Sequence, residues 1–236
     1  MKLDDPEVVA AEYADESRFE RRRAAFASST GPSALDTLFE AVAEARPGRY
    51  LEVGCGPGEM AARVQDELGA DVVALDISPR MVELTRERGV EARVGDVQEL
   101  PFGDASFDCA VAAWMLYHVP DLDRGLAELA RVLRQGGRLV AATNSIDNMH
   151  ELWRLVGRDR GTEDVRFFAE NGEEPLRRHF SSVERRDVVG AMSFTREQVR
   201  DYVANSIGHA HLAEGIPPFD DPLAVTRSMT IFVATR

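Results

Sequence analysis

RYLEVGCGPGEM (Arg49–Met60) is the stretch that decides the architecture of this chain. An apolar strand runs into Gly54, Gly56 and Gly58 and then directly into a helix. Glycine lets the main chain turn sharply and approach a ligand without interference from Cβ, and the first turn of the helix offers unpaired N–H groups. The stretch predicts a ligand site built from backbone at the carboxyl end of a strand, suited to a nucleotide-like molecule. A glycine-rich turn with no ligand is the competing reading of this segment alone, so the neighbouring strand ends carry the decision.

In an open parallel sheet the ligand lies outside the carboxyl ends of several strands. DVVALD (Asp71–Asp76) is a short apolar run that ends in a carboxylate. Asp76 stands about 20 residues beyond the glycines, where an acid can accept from both hydroxyls of a ribose. Ser78 and Pro79 then open a helix as N-cap and first helical residue, and Gly89 closes it. EARVGDV (Glu91–Val97) is a third strand ending in an acid, Asp96. A fourth lies within FGDASFDCAVAAWMLYHVPD (Phe102–Asp121), with Trp114, Tyr117 and His118 behind it. Leu122, Leu126, Leu129 and Leu133 recur at helical spacing after Asp121 as N-cap. Gln135, Gly136 and Gly137 stop that helix, and RLVAAT (Arg138–Thr143) reads as strand five.

In combination these segments resemble the class I S-adenosylmethionine-dependent methyltransferases over residues 49–144. LEVGCGPG is similar to the family's first motif, and LPF, SFD and HVPD (Leu100–Phe102, Ser106–Asp108, His118–Asp121) follow a pattern shared by many small-molecule members. Dinucleotide-binding units space their glycines G-x-G-x-x-G beside a pyrophosphate; here the spacing is G-x-G-x-G, preceded by Glu52. The resemblance implies S-adenosylmethionine as cofactor and S-adenosylhomocysteine as product. It implies Glu52, Gly54, Cys55 and Gly56 along the methionyl part and Asp76 on the ribose. Asp96 would accept from the adenine amino group, with the N–H of Val97 at the ring; Tyr13, Ile77, Met81, Ala113 and Trp114 would complete the cofactor site. The implied fold is α/β, a doubly wound, seven-stranded Rossmann-like sheet with helices on both faces. That sheet is mostly parallel, its last strand inserted antiparallel between strands five and six.

At 236 residues and 44% hydrophobic content the chain is expected to form one domain, 1–236. Residues 1–46 read as an N-terminal helical cap and 49–144 as five alternating strand–helix units forming the cofactor-binding core. Residues 145–236 read as substrate-side insertions with the last strands: a helix near 147–158, a polar segment to about 180, a strand Val183–Val189, a helix within 195–206 and a strand Met229–Val233. No run of about eighteen apolar residues and no apolar signal region is visible, so the expectation is a cytoplasmic protein with no membrane partner. A formal charge of −13 speaks against nucleic acid, whose nonspecific binding draws on Lys and Arg. Arg21, Arg22 and Arg23 stand among Asp15, Glu16 and Glu20 and read as the solvated face of a helix. A small molecule is the expected partner, with the protein a monomer or homodimer. Cys55 and Cys109 fall inside motif segments and read as free thiols.

Methyl transfer needs little acid–base machinery, because the sulfonium leaves readily and alignment alone can supply ~7–11 kcal/mol. A hydroxyl acceptor still gains from a base. His118 is the candidate, as a neutral imidazole behind strand four, with a loop-stabilising hydrogen bond as the competing role. His150 is a weaker candidate. Tyr117, His150 and Trp153 read as substrate contacts, against the commoner use of such aromatics, Phe167 and Phe168 among them, as core. Trp114 is also placed for a cation–π contact with the cofactor. His209 and His211 lack a carboxylate partner and give no metal site. The family's mark of amide or base N-methylation, Asn/Asp-Pro-Pro-aromatic, is replaced here by Ala113–Leu116. The expected activity is therefore O-methylation of a small molecule; a noncatalytic cofactor-binding protein and a methyltransferase for a peptide or protein are the alternatives.

Overall fold

The apolar run before the glycines folds as β1 (Arg49–Val53), exposed at Arg49 and buried from Tyr50 onward. β2 (Asp71–Asp76) pairs parallel along one edge of it and β3 (Glu91–Val94) parallel to β2. On the other edge lie β4 (Phe107–Ala113) and β5 (Leu133–Asn144), both parallel. β7 (Leu223–Thr235) runs antiparallel between β5 and β6 (Ser182–Phe194). The order is β3-β2-β1-β4-β5-β7-β6, as the resemblance implies. This computed structural model describes residues 21, 24, 26, 29–158, 166–206 and 209–236. Tyr13, Arg22 and Arg23 lie outside the described residues.

Central strands buried on both faces need helices on both, and the sequence supplies them with caps. On one face α1 (Ala34–Ala45), α2 (Glu59–Leu68) and α3 (Pro79–Glu87) bury Leu38, Val42, Met60, Val64 and Val82 against Tyr50, Val72, Val111 and Ile231. Ser33 and Ser78 cap α1 and α3 by accepting from Asp36 N and Met81 N. On the other face α4 (Leu122–Val132) and α6 (Glu173–His179) cover Leu51, Leu75, Ala110 and Phe232. α5 (His150–Leu155) and α7 (Arg196–Ala204) form a third cluster against the far ends of β6 and β7, around Trp153, Phe194 and Val203. Among the described residues no helix is long and apolar enough to cross a membrane.

Several expectations need correction. α4 ends at Val132, and Leu133 already pairs with Phe107. Gln135, Gly136 and Gly137 therefore sit inside β5, where the register shifts and Gly137 packs so closely that a Cβ would stand 2.8 Å from Arg134 O. The β3–β4 connection, residues 95–106, holds turns instead of the helix that strict alternation predicts. Arg131 replaces it as an anchor, donating to Leu100 O at 3.1 Å and Phe102 O at 2.7 Å. The segment read as polar up to residue 180 carries α6 and the buried Phe167 and Phe168. β6 and β7 are both longer than expected, and Gly190 lets β6 continue because the chain at Thr30 bridges to Ala191.

Asp108, within the SFD triplet, stitches the sheet at its lower end: its Oδ2 accepts from Gly48 N at 2.7 Å and Arg49 N at 2.9 Å. Phe232 is fully buried where β7 meets α6, its ring edge-on to Phe167 at 5.9 Å between centroids. Phe232→Ala is expected to cost about 3–5 kcal/mol in urea unfolding; a loss below ~1 kcal/mol would contradict this packing.

Candidate functional site

The site grows from the turn after β1. Gly54 holds φ 64° and lies so close to β4's exit that a Cβ would stand 2.8 Å from Met115 Cβ. Gly56 follows at φ 53° and donates its N–H to Asp76 Oδ2 at 2.9 Å. Asp76 Oδ1 accepts from Ser78 N at 2.9 Å, so the carboxylate that ends β2 ties the glycine turn to the start of α3. Asp76 is 8% exposed; burial raises its pKa, with the N–H groups of Ser78, Gly56 and Ile77 opposing. Cys55 N donates to Leu75 O at 3.0 Å, fixing the same turn from its other side.

At the end of β3, Asp96 accepts from Gln98 N at 2.8 Å and from Gln98 Nε2 at 2.9 Å, while Gln98 Oε1 accepts from Asp121 N at 3.0 Å. Gln98 thus clamps Asp96 to the cap of α4. After β4, Trp114 holds φ 53°, rare for a bulky residue, and its N–H donates to Ala142 O at 2.8 Å. A 3-10 turn (Leu116–His118) follows, with Leu116 buried beneath and the rings of Tyr117 and His118 edge-on at 4.5 Å. His118 N donates to Met115 O at 2.9 Å, which fixes the turn's backbone.

These strand ends open on one cavity of about 690 Å³. Glu52, Gly54, Cys55, Gly56, Asp76, Ile77, Asp96, Val97, Ala113, Trp114, Tyr117 and His118 all line it. Met81 does not: it is 1% exposed, turned into the core by its position on α3. His150 and Trp153 do not line it either. His150 Nδ1 lies 3.6 Å from Glu151 Oε2 on α5, and Trp153 packs against Tyr202 and His209 at 6.2 and 5.2 Å between centroids. Trp153 stands behind Tyr202, which itself lines the cavity. Phe26, Gln98, Asn144, Tyr202, Arg227 and Met229 are lining residues that the sequence reading passed over. Arg227 was legible by parity: it shares a face with Met229, Ile231 and Val233, which pack inward.

Glu52 is 3% exposed and its Oε2 accepts from the Tyr50 hydroxyl at 3.3 Å. Burial pushes its pKa up to about 8 despite that hydrogen bond, with the nearby Asp76 charge adding to the rise. Burial likewise pushes the Cys109 thiol up to about 12 and raises Cys55, so both cysteines stay protonated near neutral pH and neither is a thiolate nucleophile.

The family model described as Methyltransferase domain matches residues 51–141. A Mycobacterium tuberculosis protein described as an uncharacterised methyltransferase is 34% identical over 180 residues, 74% of this chain and 69% of that one. The 27-O-demethylrifamycin SV methyltransferase of Amycolatopsis mediterranei is 40% identical over 99 residues, 39% of this chain and 36% of its own. The crystal structure of a SAM-dependent methyltransferase from Thermotoga maritima is similar at a TM-score of 0.57 and 23% identity, covering 93% of each chain; at that identity the likeness is one of fold. The chain spans 33% to 55% of the length of three further curated relatives that it matches.

The buried Glu52 makes a pH-dependent contribution. Its folded pKa of about 8 exceeds the ordinary 4.5, so folding takes up a proton between those values. Its stabilising effect is whole below the lower value and is lost as pH climbs through the upper one. Urea unfolding at about pH 5 and about pH 8.5 should show a stability drop that Glu52→Gln flattens; equal drops in both proteins would contradict the burial argument.

Proposed function

Because this chain belongs to the S-adenosylmethionine-dependent methyltransferases, we propose that it methylates a small molecule, at oxygen rather than at nitrogen or carbon. The single observation that carries this reading is the cavity of about 690 Å³ in which the glycine turn, Asp76 and Asp96 meet Trp114, Tyr117 and His118. A cavity of that size takes a nucleoside-sized cofactor together with a compact acceptor. The lining residues fit the cofactor: Asp76 has lone pairs for a diol beyond its backbone contacts, and the glycines at 54 and 56 put no side chain into the turn. Glu52 and Cys55 line the same turn, while Ile77, Asp96 and Val97 extend the site along β2 and β3. When bound, S-adenosylmethionine supplies an activated methyl group and leaves as S-adenosylhomocysteine.

The chain's own task is to bind, orient and deprotonate. Trp114 and Tyr117 wall the space after β4, and His118, held on its 3-10 turn, accepts the proton of an acceptor hydroxyl at an imidazole nitrogen. An amine acceptor would bring its own lone pair and leave less for this histidine to do. Support for oxygen also comes from the Amycolatopsis relative, whose described methylation is at an oxygen. A peptide or protein acceptor is disfavoured by a site recessed into a cavity, and a noncatalytic binding role would leave the histidine idle.

Incubation with methyl-labelled S-adenosylmethionine and a panel of hydroxylated small molecules should yield a labelled methyl ether; labelling confined to amines, or to polypeptide, would overturn the reading. On the acceptor so found, His118→Ala should lower turnover by roughly 10²–10⁴ while leaving S-adenosylhomocysteine affinity intact. A fall of less than about tenfold would make His118 structural. Asp76→Ala should weaken S-adenosylhomocysteine by about ten- to a hundredfold in calorimetric titration, and unchanged affinity would remove Asp76 from the cofactor site.

A further inference from the structure

Arg227 lines the cavity from β7 and is 7% exposed. Its Nη2 donates to Pro32 O, and its guanidinium lies over Gly190, where a Cβ would stand 2.8 Å from Nη2. Its Nε has no hydrogen-bond partner, and among the described residues no carboxylate pairs with it. Burial alone acts on its pKa, in the lowering direction, yet a guanidinium stays protonated inside proteins. A buried cation without a counter-ion is costly to keep, and replacing such charges by apolar side chains is frequently stabilising. The charge therefore calls for a role in binding.

Two further buried polar atoms without a partner, Ser29 Oγ and Trp114 Nε1, belong to residues that line the same cavity. Indole N–H and guanidinium Nε–H can only donate, and a hydroxyl can donate. Three residues that line one cavity thus each carry a buried donor without a partner, and a group rich in acceptor oxygens is complementary to them. Among the described residues the four carboxylates lining that cavity have other contacts: Glu52 with Tyr50, Glu59 with Arg88, Asp76 with Gly56 and Ser78, and Asp96 with Gln98. Nor does the protein attract anions in general, with a net charge of −13. β4 and β5 stand between β7 and the glycine-bearing β1, which puts about 14 Å of sheet between Arg227 and the cofactor turn.

We infer that Arg227 determines substrate specificity by receiving a carboxylate or phosphate carried by the acceptor, remote from the atom that is methylated. This rests on the cavity being the acceptor site, and it holds whichever atom takes the methyl group. Arg227 would pair with the anion where its guanidinium borders the cavity, with Ser29 and Trp114 of the same lining as further donors. A neutral acceptor of the same shape would leave all three buried donors unsatisfied, which is how a polar pocket rejects it.

The test uses the full chain saturated with S-adenosylhomocysteine and three matched probes: benzoate, phenyl phosphate and benzamide. Benzoate or phenyl phosphate should raise the melting temperature and benzamide should not, and whichever anion acts identifies the group received. Arg227→Met should bind that anion about ten- to a hundredfold more weakly, while Arg227→Lys, which keeps the charge, should still prefer it to benzamide. Stabilisation by neither anion, or equal stabilisation of Arg227→Met, overturns the inference. So does a tenfold loss of S-adenosylhomocysteine affinity in Arg227→Met, which would assign the cation to the cofactor's own carboxylate. The probes need not be methylated, so a failure of the O-methylation reading would show in the transfer assay and leave this result standing.

Discussion

The carboxylate of Asp76 is the contact on which the site depends. It receives Gly56 N–H on one oxygen and Ser78 N–H on the other, both at 2.9 Å, so the end of β2 holds the glycine turn and the start of α3 in one frame. A side chain that fixes two backbone turns leaves those turns free of bulk where a ligand must come close. Because each carboxylate oxygen has more than one lone pair, the same group can brace the loop and still accept from a bound molecule. Burial disfavours its charge, and the backbone N–H groups supply the opposing field. The loop it organises thus offsets part of the cost of keeping this anion inside.

The cavity's other wall comes from a different part of the chain. β7 pairs with β5 only as far as Met229 and then continues with β6 alone, forming a ribbon that reaches past the carboxyl end of the parallel strands. α5 and α7 pack on that ribbon and bring Tyr202 to the cavity. The chain at Thr30 adds to the edge through its bridge to Ala191, which lets Ser29 and Gly31 line the same space. The two walls, one made of strand ends and the other of ribbon and the chain at Thr30, are therefore distinct in sequence and continuous in space.

That division explains what could be read from the sequence. β1, β2, β4 and β5 are apolar runs, and the acids, glycines and aromatics after β1 to β4 mark the strand ends, so the sequence groups Asp76, Asp96, Trp114, Tyr117 and His118, which line one cavity. The ribbon gave a weaker signal. Leu223 and Ala224 are not buried, only Val225 to Ser228 alternate between buried and partly exposed positions, and the strand expected to end at Val189 runs on through Gly190 beside the Thr30 bridge. Arg227 lies in that stretch, marked only by its parity with Met229, Ile231 and Val233. The third residue after a Ser cap can face either ligand or core, and here Met81 is buried on α3 at 1% exposure and does not line the cavity. Trp153 and His150 show the limit of aromatic composition, since rings one layer behind a cavity read like rings that line it.

A class I methyltransferase takes S-adenosylmethionine, and not a dinucleotide, and the proposed seat for it is the backbone turn after β1 braced by Asp76. Thermal unfolding of the full chain with S-adenosylhomocysteine and, separately, with NADP tests it most directly, since a ligand that binds only the native state raises its melting temperature. A rise with S-adenosylhomocysteine and none with NADP is expected; a rise with NADP and none with S-adenosylhomocysteine would overturn the assignment.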